Sequence, residues 1–323
     1  MIKQPMFSPR ESPKTYLKYF EELKYPLLGS PKIDGIRCLP VIADAVEYSS
    51  DLVPTVTGQY AVCKSRTMTD LPSKQVQRDF SAFLDLDGEL AEGNETDNDL
   101  CNRTQSYAMS IDKESDNLHF RVFDCCAIEH ANKDFEVRLE IAGDMIEQYK
   151  QIHPHAKVSL IEHQWLESLE ELLEYEEIQL KKGYEGIMWR SPFGPYKHGR
   201  GTWREGYIGK LKRFEDTEGI LVDIEEGQTN MNIEMRDNMG FAKRSYEKDG
   251  MVLSGMAGAL IVDVDGVLAR VAPGALKHDE RKHMLENPKE YIGRPLTFRH
   301  FPHGAKDTFR QAKFAAWRSR IDL

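Results

Sequence analysis

Lys32, Gly35 and Arg37 follow one another at spacings of three and two residues within Ser30-Pro31-Lys32-Ile33-Asp34-Gly35-Ile36-Arg37. An isolated lysine is most often a solvated surface charge. It becomes a nucleophile when its ammonium loses a proton, which neighbouring cations or desolvation promote by lowering its pKa. Attack by such a lysine on a nucleotide α-phosphate would give a phosphoramidate that can still hand the nucleotide on. Asp87, Glu89 and Glu185 offer the hard carboxylate oxygens that Mg²⁺ or a ribose would take. Lys210 and Lys212, two apart, share one face of a strand and could clamp phosphates, as could Arg37 and Arg66. An exposed acid row or a pair of strand lysines, taken alone, is more often a solvated face. Their joint presence in one chain favours the chemical reading.

Short elements must position these residues. Rough alternation from Lys32 to about Ile42, bounded by Gly35 and Pro40, predicts strand structure with the lysine at a strand end or loop, and Tyr60–Arg66 predicts another strand. In Phe83–Leu90 the alternation puts Leu84, Leu86 and Leu90 on one side and Asp85, Asp87 and Glu89 on the other. Three acids in line repel unless a cation or a solvated cleft receives them. Asn94–Asp116 is polar and reads as a loop, and Leu118–Asp124 returns to strand character. Phe135, Leu139, Ala142, Ile146 and Tyr149 mark an amphipathic helix over about Asp134–Lys150. Leu166, Leu169, Leu173 and Leu180 mark a second, stopped by Gly183, and a short helix is expected near Tyr16–Lys24. Gly186–Arg190 and Tyr207–Lys212 read as strands. After Phe214 an acidic hinge of Glu215, Asp216 and Glu218 leads into short strand-like runs such as Ala259–Val264 and Gly266–Val271, the pattern of a small β-barrel. The expected domains are 1–214 and 215–323.

The chain of 323 residues is long for one core, and 40% hydrophobic with 30% charged residues is a globular composition. No apolar run reaches membrane-spanning length, and Lys3, Arg10, Glu11 and Lys14 interrupt any secretory apolar region, so a cytosolic protein is expected. Five cysteines without a C-x-x-C spacing argue against disulfides and zinc. A net charge of −10 speaks against indiscriminate nucleic-acid coating, although His278–Leu323 is basic in balance.

Lys32-x-Asp34-Gly35-x-Arg37 resembles motif I of the covalent nucleotidyltransferases, the superfamily of ATP-dependent DNA ligases, RNA ligases and mRNA capping enzymes. Ser65-Arg66, Asp87-Gly88-Glu89-Leu90, Phe123-Asp124, Glu185-Gly186-Ile187-Met188 and Lys210-Leu211-Lys212 resemble motifs Ia, III, IIIa, IV and V, in the family's order. Arg310-x-x-x-Phe314-x-x-Trp317-Arg318 resembles motif VI of small phage-type DNA ligases. Ser30 stands where many DNA ligases have a glutamate, and the usual proline of motif VI is missing.

The resemblance implies an α+β architecture: an ATP-grasp-like adenylation domain followed by an OB-fold domain. It implies ATP and Mg²⁺ as cofactors and nicked double-stranded DNA as partner, acted on by a monomer. Lys32 would carry AMP, Arg37 would contact ribose and acceptor phosphate, Arg66 would help bind the nucleotide, and Glu89 would bind ribose hydroxyls or metal. Phe123, with Phe120 as rival, would stack on adenine, and Glu185 would be the main metal ligand. Lys210 and Lys212 would neutralise the α-phosphate and lower the pKa of Lys32, and Arg310 and Arg318 would orient the outer phosphates. The basic segments Lys197–Arg213 and His278–Arg320 are the expected DNA surface. An RNA ligase with the same chemistry and a non-catalytic OB-type nucleic-acid-binding protein are the alternatives.

Overall fold

The computed structural model describes residues 4–9, 20–48, 54–301 and 309–318. The first four residues of the helix expected near Tyr16–Lys24 lie outside them, and of the rest only Phe20 and Glu21 are helical. The chain divides into two compact units, Met1–Lys212 and Arg213–Leu323.

In the first unit a short strand β1 (Met6–Phe7) is followed by β2 (Leu27–Pro31), β3 (Ile36–Tyr48) and β4 (Pro54–Lys64). Then come helix α1 (Lys74–Phe80), β5 (Leu86–Glu92), α2 (Leu100–Ala108), β6 (Leu118–Cys125) and α3 (Phe135–Ile152). The unit ends with β7 (Val158–Leu160), β8 (Gln164–Leu166), α4 (Leu169–Lys181), β9 (Gly186–Arg190), β10 (Gly199–Arg200) and β11 (Ile208–Lys212). Two larger sheets result, ordered β4-β3-β5-β6-β7 and β11-β9-β2-β8. The first packs through Leu86, Leu90, Phe120 and Val122 against Phe80, Ala142 and Ile146. The second buries Leu27, Ile187, Trp189 and Leu211 with Leu172 and Tyr175 of α4. Lys32 lies in the four-residue link between β2 and β3, where the chain passes from one sheet to the other.

Several elements depart from expectation. Ser168 accepts a hydrogen bond from the Glu171 amide and caps α4, so the helix begins at Leu169, while Leu166 belongs to β8. The polar stretch read as a loop contains α2, whose buried face is only Leu100, Thr104 and Ala108, too thin an apolar stripe to see by periodicity. In α3 the expected Leu139 is flanked by Arg138, which is fully buried and shares the core face with Phe135, Ala142 and Ile146. Strand β5 begins at Leu86, and Asp87 is fully buried within it, its carboxylate received by a cation, Arg37, rather than by a solvated cleft.

The second unit contains β12 (Glu215–Asn230), the hairpin strands β13 (Glu234–Arg236) and β14 (Ala242–Arg244), β15 (Met251–Val264), β16 (Val267–Val271), helix α5 (His278–Glu286), β17 (Pro295–Phe301) and β18 (Arg310–Trp317). Its main sheet runs β16-β15-β12-β17-β18. A parallel bridge between Ala272 and Lys313 joins the two outer strands, with the Ala272 amide donating to the Ala312 carbonyl at 2.9 Å and the Phe314 amide to the Ala272 carbonyl at 2.9 Å. The five strands thus form the small Greek-key barrel of an OB fold, with α5 between β16 and β17 and Met284 buried in the barrel core. Register shifts in the β12–β15 ladder bend these long strands, which is how a sheet of this length curls. The supposed acidic hinge is the start of β12. Asp216 pairs with Arg299 at 2.7 Å, and Glu218 pairs with Arg318 at 2.7 Å.

Candidate active site

Backbone pairing gathers the motif residues at one end of the second sheet. Pro31 faces Ile187 across β2 and β9, and Lys212 faces Gly186 across β11 and β9. The Lys32 amide donates to the Gly186 carbonyl at 2.9 Å. Lys32, Glu185 and Lys212 therefore arrive together although 153 and 180 residues of sequence separate the first from the others. Two glycines permit this. A Cβ on Gly186, whose φ is +149°, would lie 2.2 Å from the Leu211 carbonyl oxygen, and a Cβ on Gly35 would lie 2.2 Å from that of Leu90. Gly35 thus lets the lysine-bearing link press onto β5, whose Glu89 pairs in register with Arg37. These close approaches give the glycines of the lysine and glutamate motifs their physical reason.

Glu185 is the electrostatic centre. Its side chain is 5% exposed, with the Lys32 ammonium against Oε2 and the Lys212 ammonium 3.1 Å from Oε1. Burial pushes its pKa up, but the two lysines outweigh burial and hold it down at about 2. Burial lowers the Lys32 pKa, yet Glu185, Glu89 and Asp34 together raise it above the ordinary lysine value. Repulsion between Lys212 and Lys32 acts in the expected lowering direction, but the acids around Lys32 outweigh it. Burial dominates at Lys212, whose pKa falls, helped by repulsion from Lys210 and Lys32. Lys210 sits half-buried two residues earlier on β11.

Glu89 behaves oppositely to Glu185. Burial raises its pKa to about 7 despite Lys32 and Arg37, with Asp87 and Asp34 adding repulsion. A folded-state value above the ordinary 4.5 means that ionising Glu89 costs the folded protein stability as pH rises from about 4.5 to about 7. The melting-temperature advantage of Glu89→Gln over wild type is therefore expected to widen across that window and level off above it. Thermal melts in a buffer series check this, and an advantage that does not grow between those values would contradict it.

Arg37 donates Nε to Asp87 Oδ1 at 2.8 Å and Nη1 to the Met6 carbonyl at 2.8 Å, while its Nη2 reaches Asp87 Oδ2. Tyr196 also donates to Asp87 Oδ2, at 2.7 Å. Asp87, a candidate metal or ribose ligand by sequence, is thus fully enclosed by Arg37 and Tyr196 and holds the arginine in place. Phe123 is half-buried, with the Arg37 and Arg190 guanidinium carbons 5.3 and 5.7 Å from its ring centroid. Its rival Phe120 is fully buried among Phe80 and Phe83 and is core. Arg66 is exposed in the turn after β4.

Sequence reasoning missed a second ionic layer. Asp124, next to Phe123, accepts from Arg138 Nε at 2.8 Å, Arg138 Nη2 at 3.1 Å and Arg190 Nη1 at 2.7 Å, and neither Asp124 nor Arg138 is exposed at all. Arg138 also donates to the Gly194 carbonyl at 2.9 Å. The adjacency of Asp124 to the motif phenylalanine was the available signal. Nothing in the sequence marks Arg138 or Arg190 as its partners.

Arg310 and Arg318 belong to the second unit. Arg310 opens β18 opposite Phe301, and Arg318 donates to Thr297 Oγ1 at 2.8 Å besides its pair with Glu218. Phe314 is buried in the barrel core, and Trp317 packs on it and donates to Glu280 at 2.7 Å. Several cations of the expected DNA surface have acidic partners, Lys197 with Glu205 among them, and Arg320 lies outside the described residues. Ser30 is buried in β2 opposite Met188.

Two sheets meet over a lysine–carboxylate–lysine cluster in the first unit, and a five-stranded OB-fold unit follows it along the chain. The family model of the ATP-dependent DNA ligase domain matches residues 10–208. The chain belongs to that family. It is 28% identical over 120 residues to the DNA ligase of African swine fever virus, a match covering 37% of this chain and only 28% of that protein's length. A Lig E DNA ligase structure superposes with a TM-score of 0.66 at 20% identity, over 98% of this chain and all of the other. The adenylate of Chlorella virus DNA ligase aligns over 99% of both chains at 24% identity, with a TM-score of 0.49. Among the described residues no helix is long and apolar enough to cross a membrane.

Proposed function

We propose that the chain is an ATP-dependent DNA ligase that seals nicks through a lysyl-AMP at Lys32. The observation that carries this reading is the placement of Lys32 and Lys212 on the two oxygens of the buried Glu185, in a chain of the ATP-dependent DNA ligase family. Lys32 Nζ attacks the ATP α-phosphate, and the bond to pyrophosphate breaks. A 5′-phosphate oxygen at the nick then displaces the lysine from the AMP phosphorus. Last, the 3′-hydroxyl attacks the 5′-phosphate and AMP leaves.

The chain's residues orient these in-line transfers and receive their charge. Lys210 and Lys212 face the α-phosphate, Phe123 offers its ring to adenine, and Glu89 accepts from ribose hydroxyls. Arg37, fixed by Asp87, and Arg66 present guanidinium groups to phosphate. Arg310 and Arg318 act on the outer phosphates during the first transfer. The DNA is held through its backbone, because a nick sealer is indifferent to sequence.

The donor set fits Mg²⁺. Among the described residues no three acidic, histidine or cysteine side chains cluster as a protein-built metal cage, whereas Glu185 and Glu89 both act on Lys32, and Mg²⁺ is typically held by one or two carboxylates plus phosphates. Bound there, the ion would replace Lys32 as the counter-charge of Glu185 and so lower the lysine pKa.

The test is sealing of a labelled nicked duplex with ATP and magnesium, with DNA or RNA supplying the 3′-hydroxyl strand. Sealing of the DNA nick, with ATP and not GTP, is expected. Sealing confined to the RNA strand would make the chain an RNA ligase, and no sealing or covalent nucleotide would leave a binding protein.

A further inference from the structure

Tyr196 lies buried in the link between β9 and β10, and no motif of the sequence marks it. Its hydroxyl accepts from the Met6 amide at 3.0 Å and donates to Asp87 Oδ2 at 2.7 Å. Arg37 closes the circuit. Its Nε and Nη2 donate to the two Asp87 oxygens, and its Nη1 donates to the Met6 carbonyl at 2.8 Å. Met6, Tyr196, Asp87 and Arg37 thus form one hydrogen-bonded ring drawn from β1, the 191–198 link, β5 and β3.

This ring has a single polarity. The Met6 amide can only donate, and a carboxylate paired with Arg37 can only accept, so the one phenol proton must point at Asp87. Burial, and after it the charge of Asp87, raises the Tyr196 pKa well above the ordinary tyrosine value, which keeps that proton in place. Met6 and Asp87 are fully buried and Tyr196 is 2% exposed, so these groups depend on one another for their hydrogen bonds. Arg37 uses three of its five N–H groups inside the ring, which leaves one on each terminal nitrogen for an incoming phosphate. Where those two point is set by the plane of the carboxylate that grips the guanidinium. Among the described residues Tyr196 is the one further side chain that donates to that carboxylate.

We propose that Tyr196 is a positioning residue for the transfer of AMP to the polynucleotide: its hydroxyl ties the Asp87 carboxylate to β1 and so fixes the direction in which Arg37 presents its remaining N–H groups to phosphate. This rests on the ligase reading. The hydroxyl is the operative feature, whereas the aromatic ring, which lies against Arg138 and His198, is packing.

Tyr196→Phe keeps those ring contacts and removes the hydroxyl alone. Transfer of AMP from preformed enzyme-adenylate to a 5′-phosphorylated nick, followed in a single turnover, is expected to slow about tenfold, the size of one lost hydrogen bond to a charged group. Labelling of the enzyme by saturating ATP should stay within about twofold of wild type, because sites without shared partners act nearly independently. Neither Lys32 nor Glu185 bonds to a member of the ring. A second readout does not depend on activity. In enzyme carrying isotope-labelled arginine, NMR should find the Arg37 Nε–H exchanging with solvent about tenfold faster in Tyr196→Phe. The Arg138 Nε–H, held on Asp124 at 2.8 Å beside the same ring, should keep its wild-type rate. A general loosening of the fold would speed both arginines, so the pair separates positioning from packing. Transfer at the wild-type rate, equal losses in labelling and transfer, an unchanged Arg37 exchange rate, equal acceleration of both arginines, or a variant that melts below the assay temperature would each overturn the inference while leaving the ligase reading intact. A wild-type protein that takes no label from ATP would remove that reading, and this one with it.

Discussion

Lys32→Ala is expected to take no covalent label from ATP carrying a labelled α-phosphate, and sealing of ordinary nicks should fall by on the order of 10⁴-fold or more, as when a nucleophile is removed elsewhere. Lys32→Arg should fail equally. Its guanidinium keeps the charge and can keep the pair with Glu185, but it does not deprotonate in proteins. The pair of variants thus separates nucleophile from counter-ion. A nick whose 5′ end already carries AMP needs no lysine attack, so Lys32→Ala should still seal it. Label on Lys32→Ala, or failure of Lys32→Ala on the pre-adenylated nick with a melting temperature equal to wild type, would falsify the assignment.

The ground state around that lysine is not yet reactive. Glu185, Glu89 and Asp34 raise its pKa even though burial opposes them. In the proposed mechanism the carboxylate that positions Lys32 also favours its protonated form, so drawing Glu185 away would favour the nucleophilic amine. Lys212 competes for Glu185 from the other oxygen at 3.1 Å. On this account Lys212 would act on Lys32 through the carboxylate as well as by direct repulsion.

The residues legible in the sequence were those whose chemistry depends on local spacing. Lys32 with Gly35 and Glu185 with Gly186 are each set by a strand end and a glycine that admits another backbone, and Lys210 with Lys212 by alternation along β11, so short motifs suffice to mark them. Phe123 was preferred over Phe120 only through the motif, and burial of Phe120 among Phe80 and Phe83 gives the physical reason. The barrel was legible as a pattern of strands and turns, but not the length of β12 or the pairing of its acids, since Asp216 and Arg299 are 83 residues apart. Met6 sits in a proline-rich start that looks featureless until its backbone is seen against Arg37 and Tyr196. Asp124, Arg138 and Arg190 were invisible for another reason: each reads as an ordinary charged residue, and only tertiary packing turns the three into a buried cluster.

That cluster yields the largest expected effect on stability. Asp124 is the shared counter-charge of Arg138 and Arg190, all three withdrawn from water. In Asp124→Ala two guanidiniums would stay buried with carbonyls and rings for company, and removing one partner of a buried ion pair typically costs about 3–5 kcal/mol. For a domain of this size the melting temperature should fall by roughly 10 °C, at about 2–4 °C per kcal/mol. Pairing Asp124→Ala with Arg138→Met should recover part of the loss, because one stranded charge is removed with its partner; the double mutant would then be more stable than the sum of the single changes predicts. Function should follow. Arg190 lies over both Phe135 and Phe123, at 4.8 and 5.7 Å from their ring centroids, so its release loosens the proposed adenine platform and should raise the KM for ATP more than it lowers kcat. A melting temperature within a degree or two of wild type for Asp124→Ala would show that the network is not under the constraint its burial implies.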